Sequence, residues 1–194
     1  MNFRSIALIT TALAIAAAPP VLTGCAAVAV AGIAGTALVV ADRRSAGAQL
    51  DDESIELKIA SESRGRFGDG ARLSATSYNG IVLLTGEVRD TKVQQDATEL
   101  ARSIPRVRAV HNETVVAPSS TFSDRSSDTL ITSKVKARLV EANQVPANLI
   151  KVVTERNVVY LMGIVSRQEA DAATNLAATT SGVARVVRVF EYTN

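Results

Sequence analysis

Apolar and polar positions in this chain follow two periods in a set order, and the order occurs twice. A helical period opens the two copies at Asp52 and Asp128, aspartates that can accept from the free N–H groups of a first helical turn and so cap it. Strand periodicity follows. Ala71 to Tyr78 and Ile81 to Val88 read as strands around Asn79-Gly80, a dipeptide whose tolerance of positive φ suits a two-residue hairpin turn. In the second copy Leu149 to Thr154 and Val158 to Val165 surround Glu155-Arg156-Asn157, where Asn again tolerates positive φ. Ser166 and Glu169 have capping-box spacing, so a second helix runs through Ala170, Ala173 and Leu176 to about Thr180. A last strand, Val183 to Tyr192, sets Val183, Arg185 and Val187 against Val186, Arg188 and Phe190, so its faces are only partly distinguishable.

The copies match position by position. Asp52, Ile55, Lys58 and Ile59 recur as Asp128, Ile131, Lys134 and Val135 at a spacing of 76 residues, Gly80 to Val88 matches Asn157 to Val165, and Val107-Arg108-Ala109-Val110 matches Val183-Ala184-Arg185-Val186. Three matches in one order at nearly constant spacing indicate a duplicated module. The expected fold is α+β: two tandem modules, each αββαβ, with two helices on one face of a three-stranded mixed sheet. The expected boundaries are a leader at 1–24, a lipidated N-terminus and linker at 25–49, modules at 50–117 and 127–194, and a linker at 118–126. A linker of that length spans at most about 35 Å, so the modules stay near each other.

Composition narrows the chemistry. The chain has 21 Lys and Arg against 19 Asp and Glu, and 4% aromatics with no Trp, so neither a strong field nor a base-stacking platform for nucleic acid is present. Its single histidine, His111, has no second histidine for a metal site, and a surface strand position suits it. The acidic residues form no spaced pair of glycosidase type. Gly65, Gly68 and Gly70 lack the Lys-Ser/Thr that a phosphate-cradling loop needs. No catalytic residue, metal site or cofactor is expected.

The N-terminus carries a location signal. Arg4, an apolar run from Ile6 to Ala18, Pro19-Pro20 and Leu22-Thr23-Gly24-Cys25 have the order of a signal peptide. The last four residues resemble the lipobox of bacterial lipoproteins, which implies a diacylglyceryl thioether on Cys25, the chain's one cysteine, and removal of the leader. Ala26 in place of an aspartate implies sorting to the outer membrane. Ala26 to Ala41 is apolar but about sixteen residues long, short of the roughly 20 that cross a bilayer, and reads as a small-residue segment near the lipid surface beside the anchor.

The element order, with Gly86-Glu87-Val88 and Gly163-Ile164-Val165 followed by a helix and a Val-x-x-Val strand, resembles the bacterial BON domain from about Gln49 to Asn194. Combined with the lipobox, it is similar to the dual-BON outer-membrane lipoproteins. That resemblance implies a periplasm-facing anchor in the outer membrane, a role in envelope integrity, concentration at division sites, and anionic-phospholipid binding by the first helix of the second module.

Helical geometry gives this implication a physical form. At about 100° per residue, Ile131, Val135, Leu139 and Ala142 share one stripe suited to the core, while Leu130, Ala137 and Val140 fall well away from it beside Ser133 and Lys134, with Lys136 and Arg138 on the flanks. The expected phospholipid-contacting set is Asp128, Thr129, Leu130, Ser133, Lys134, Ala137, Arg138 and Val140, facing phosphatidylglycerol or cardiolipin. The equivalent face of module one holds Ser54, Leu57, Ser61 and Arg64 among Asp51, Asp52, Glu53, Glu56 and Glu62, and reads as polar and acidic. Arg43 and Arg44 near the anchor either add attraction to an anionic surface or stand as solvated linker charge. Two other readings of the apolar strip stay open: packing against module one, or recruitment of envelope or division proteins such as regulators of cell-wall amidases. Burial of Leu130, Ala137 and Val140 by module one would remove the basis for lipid contact.

Overall fold

Both expected hairpins form, and both turns use positive φ, which Asn79, Gly80 and Asn157 tolerate readily and Arg156 adopts without that preference. A computed structural model describes residues 42–193; the leader, Cys25 and the segment 26–41 lie outside the described residues. Strands β1 (Ala71–Tyr78) and β2 (Ile81–Val88) join through Asn79 and Gly80 at φ 53° and 76°, and β5 (Lys151–Glu155) and β6 (Val158–Val165) through Arg156 and Asn157 at 52° and 64°. Two successive positive φ values match the twist of the flanking strands. Strand β5 starts two residues later than expected, because Ala147–Leu149 forms a single 3-10 turn.

Helices α1 (Ala46–Phe67) and α2 (Thr91–Ser103) complete module one with β3 (Ala109–Asn112) and β4 (Val115–Val116); α3 (Phe122–Ala142), α4 (Arg167–Ala178) and β7 (Arg185–Tyr192) complete module two. In both sheets the hairpin is antiparallel and the last strand pairs parallel to its second arm, giving orders β1-β2-β3, with β4 also on β2, and β5-β6-β7. The last strand of module one is split where the Asn112 side chain accepts from the Thr114 N–H and hydroxyl.

The two aspartates read as caps do not cap helices. Helix α1 starts six residues before Asp52 and is capped by Ser45; α3 starts six residues before Asp128 and is capped by Thr121. Both carboxylates are buried inside their helices and hold the hairpin turn across the module instead. Asp52 accepts from the Asn79 and Gly80 N–H groups at 2.7 and 2.8 Å and the Ser77 hydroxyl at 2.6 Å; Asp128 accepts from the Arg156 and Asn157 N–H groups at 2.8 and 2.9 Å. Residues 118–126, expected as linker, accordingly give their second half to α3.

Each sheet has two covered faces. Ile55, Ile59, Val82, Leu84 and Ala97 form the helix-side core of module one; Ile131, Val135, Leu139, Val159 and Leu161 form that of module two. The alternate residues of the same strands, Tyr78 and Leu83 with Tyr160, Met162 and Val189, form a third core between the sheets. The modules therefore stack as helices, sheet, sheet, helices. Double-sided burial explains why β6 is apolar along its length and β2 from Ile81 to Leu84, with the buried Glu87 farther along β2 paired to Arg72 and Arg156, and why β7 has no polar face: Val186 and Phe190 meet the helices while Val187 and Val189 meet module one. Ion pairs rim this interface, among them Arg108–Glu191 at 2.9 Å, Lys151–Glu56 at 2.8 Å, Arg156–Glu87 at 3.4 Å and Arg72–Glu155. The described residues 42–193 lie in one compact unit containing all three cores, so a chain that begins at residue 38 can be prepared without what precedes it.

Arg43 and Arg44 are neither solvated linker charge nor free for a lipid surface. Arg43 grips Glu169 at 2.8 and 2.9 Å and the Ile164 carbonyl at 2.8 Å; Arg44 pairs with Asp42 and Asp52 and stacks 4.0 Å over the Tyr78 ring. The Arg43 guanidinium, helped by the Ser166 cap, holds the Glu169 carboxyl down to about 2. A depressed carboxyl stabilises the fold above its ordinary titration range, and the contribution is lost as pH falls toward 2. The pair is partly solvated, so Arg43→Ala is expected to cost about 0.5–1 kcal/mol, a fall of about 1–4 °C in the melting midpoint at neutral pH. A melt at pH 2 should show a smaller difference from wild type, and an equal one would rule out the ion pair as its source.

Candidate functional site

Helix α3 is secured at both ends by local chemistry. The Thr121 hydroxyl accepts from the Asp124 N–H while the Asp124 carboxylate accepts from the Thr121 N–H and hydroxyl, a reciprocal cap, and Asn143 ends the helix in the left-handed region at φ 48°. Asp128, Ile131, Val135 and Leu139 face inward and are buried. The opposite side is open, and module one does not cover it. Leu130 is 62% exposed, Val140 66% and Ala137 is also exposed.

Phe122 extends this strip by two turns and is 78% exposed. It stands eighteen residues before Val140, which at 100° per residue puts both on one line along the helix, about 27 Å apart. Assigning 118–126 to a linker hid it. The spacing Thr121-Phe122-Ser123-Asp124 was a readable start signal, with aspartate in the place that usually holds Glu or Gln. Between the apolar residues lie Ser126, Thr129 and Ser133, whose hydroxyls donate to the carbonyls of Phe122, Arg125 and Thr129 at 2.9, 2.9 and 3.0 Å. Back-bonding of this kind satisfies each hydroxyl within the helix, so the strip carries no donor that needs water. An open depression of about 440 Å³ lies between Phe122, Arg125, Ser126, Thr129 and Leu130.

The expected site residues separate into two groups. Thr129, Leu130, Ser133, Lys134, Ala137 and Val140 share the exposed face, with Lys136 beside them. Asp128 lies on the buried side against the hairpin turn. Arg138 turns toward α4, where its Nη1 donates to the Leu176 carbonyl and the Thr179 and Thr180 hydroxyls at 3.0, 3.0 and 3.1 Å; a cation suits the partial negative charge of that helix end. Helix α1 is less polar than expected: Leu50 and Leu57, 68% and 65% exposed, align on its outer face, flanked by Glu53, Lys58 and Arg64. His111 is exposed on β3. Among the described residues no helix is long and apolar enough to cross a membrane.

The BON domain family model matches residues 51–118 and 127–194. The outer membrane lipoprotein DolP of Haemophilus influenzae is 39% identical over 173 residues, covering 88% of this chain and 90% of that protein. A 21 kDa hemolysin of Actinobacillus pleuropneumoniae is 34% identical over 153 residues, covering 78% and 79%. Among solved structures, the type III secretion protein CdsD of Chlamydia trachomatis aligns at 12% identity with a TM-score of 0.30, over 72% of this chain and 92% of that one.

Proposed function

Because the chain belongs to the BON-domain family and is an outer-membrane lipoprotein of the DolP type, we propose that it supports envelope integrity without catalysis, held by acyl chains on Cys25 and meeting anionic phospholipid through the outer face of α3. The observation that carries this reading is the uncovered strip Phe122–Leu130–Val140, whose intervening hydroxyls are internally bonded and whose edges hold Lys134 and Lys136. An apolar helical face bordered by cations gains both from burial among acyl chains and from attraction to an anionic surface. The covalent reach from Cys25 to Asp42, about 60 Å, exceeds the roughly 20 Å depth of one sheet and one helix layer, so anchor and helix can engage one leaflet together. Joint attachment raises the local concentration of the helix at the membrane, so a weak contact suffices.

Flotation of the acyl-free chain from residue 38 tests this. Phosphatidylglycerol vesicles should carry it up, and Leu130→Glu should lower its partition about 10- to 100-fold, since one leucine contributes roughly 1.5–3 kcal/mol on burial. Equal flotation of the two proteins would sink the reading. An adaptor role is favoured by one observation, the aligned Leu50 and Leu57 on α1 in the opposite outer layer, which α3 contact with a membrane leaves facing away. Loss of envelope partners in pull-downs with Leu57→Glu, with flotation intact, would mark that surface as the adaptor face.

A further inference from the structure

Strand β7 ends the sheet order β5-β6-β7, so one of its edges has no neighbouring strand among the described residues. The Thr193 N–H donates to the Val165 carbonyl at 2.9 Å, and the register sets Val165 beside Tyr192. Bonding to a parallel neighbour alternates along a strand, so Val187, Val189 and Glu191 use their backbone groups on β6, while Val186, Arg188, Phe190 and Tyr192 turn theirs toward the open edge. The other edges are occupied or short. In module one the equivalent strand breaks at Glu113 and Thr114, where Gln94 of α2 donates to the Thr114 carbonyl. On β1, the Ser77 N–H and carbonyl are taken by Glu56 and Lys151 at 2.8 and 3.3 Å, and β5 has five residues against eight in β7. Charged side chains often guard an edge of this kind, but Arg188 is drawn onto α4 by Asp171 at 2.7 Å.

We infer that β7 pairs antiparallel with β7 of a second copy, joining the two module-two sheets into one continuous sheet. Three registers bring the outward groups opposite each other. Centring on Arg188 sets like charges directly against each other, and centring on Phe190 leaves Val186 beyond the end of the partner strand. Centring on Val189 pairs every outward residue within the strand, Val186 with Tyr192 and Arg188 with Phe190 of the second copy. Arg185, exposed and 3.7 Å from Glu113, then falls diagonal to Glu191 of the second copy, a residue of opposite charge. The two-fold axis of this pair is perpendicular to the sheet. Both copies therefore turn the helical layer that holds α3 to the same side, an arrangement that suits two chains anchored in one leaflet. Pairing through Leu50 and Leu57 of α1 would point those layers in opposite directions. The strand pairing rests on edge geometry and stands whether or not α3 meets lipid.

Sedimentation equilibrium of the chain from residue 38 at about 100 μM, a concentration suited to a small interface, should show monomer and dimer in exchange. Arg188→Pro removes a donor from the open edge while the bonds to β6 stay, and should weaken the dimer about 10- to 100-fold. The chain from residue 38 has no cysteine, so Val189→Cys can cross-link only between copies. At a non-hydrogen-bonded pair the Cα atoms lie about 4.5 Å apart, within disulfide reach. Mild oxidation should link Val189→Cys into a covalent dimer and leave Val187→Cys, which faces Glu191 of the second copy, unlinked. This comparison decides the pairing even if the proline variant fails to fold. A wild type that stays monomeric, a dimer undiminished in folded Arg188→Pro, or equal linking of the two cysteine variants would overturn it. Loss of the dimer in Leu57→Glu would overturn it too, by placing the contact on α1.

Discussion

Gly86→Ala is expected to destabilise the protein by about 3–5 kcal/mol and to lower its melting midpoint by roughly 10–15 °C. Gly86 lies in β2 at φ 110°, and a Cβ there would stand 1.9 Å from the backbone carbonyl oxygen of Arg72 on the paired strand. Backbone cannot swing aside as a side chain can, so relief requires the hairpin to shift against both cores that β2 serves. Gly163 repeats the arrangement in module two, where a Cβ would meet the Leu149 carbonyl oxygen at 2.4 Å. Its φ is not in the left-handed region, so Gly163→Ala lacks the conformational penalty and should cost less, about 1–3 kcal/mol. Thermal unfolding followed by far-ultraviolet circular dichroism checks the ranking. A Gly86→Ala midpoint within about 2 °C of wild type would contradict the close approach of the strands.

Asp52→Ala should cost about 3–5 kcal/mol, because it strips an acceptor from several buried donors at once. The carboxylate serves the Asn79 and Gly80 N–H groups, the Ser77 hydroxyl and the Arg44 guanidinium. Two of these are backbone groups of the hairpin turn, which no repacking of side chains can satisfy. Asp128→Ala removes two such bonds and no arginine contact, so about 2–3 kcal/mol is expected. Burial of Asp52 raises its pKa, but the bonds from Ser77, Gly80, Asn79 and Arg44 outweigh that and hold it below the ordinary carboxylate range. The stabilisation is therefore complete above about pH 4 and is lost as pH falls through the lowered value. Denaturant melts across pH should show wild type and Asp52→Ala converging in acid. A gap that persists unchanged to pH 2 would mean that charge at Asp52 contributes nothing.

These two positions also mark what was legible in the chain. Gly86 and Gly163 stood out as matched glycines within strands, and Asp52 and Asp128 as matched aspartates ahead of apolar helical positions. Their repetition was visible; their partners were not, since the Arg72 and Leu149 carbonyls and the two turns belong to neighbouring strands and loops. The strip on α3 was half legible. Angular spacing separates Leu130, Ala137 and Val140 from the core stripe, yet the same spacing cannot say which neighbour covers a second apolar face. Phe122 was missed because its helix start was read as a linker, and Asp128 and Arg138 were misplaced because a wheel drawn without neighbours ignores the hairpin turn and the end of α4.

Periodicity, turn residues and internal repetition thus determined the two modules and their strands, because each depends on residues close together in the chain. The tertiary structure alone decided that the sheets meet face to face. That decision follows from β6, and β2 over Ile81 to Leu84, being apolar on both sides: the faces not covered by their own helices bury each other. With that surface used, module one cannot also cover α3, and the helix keeps its outer face, from Phe122 to Val140, open.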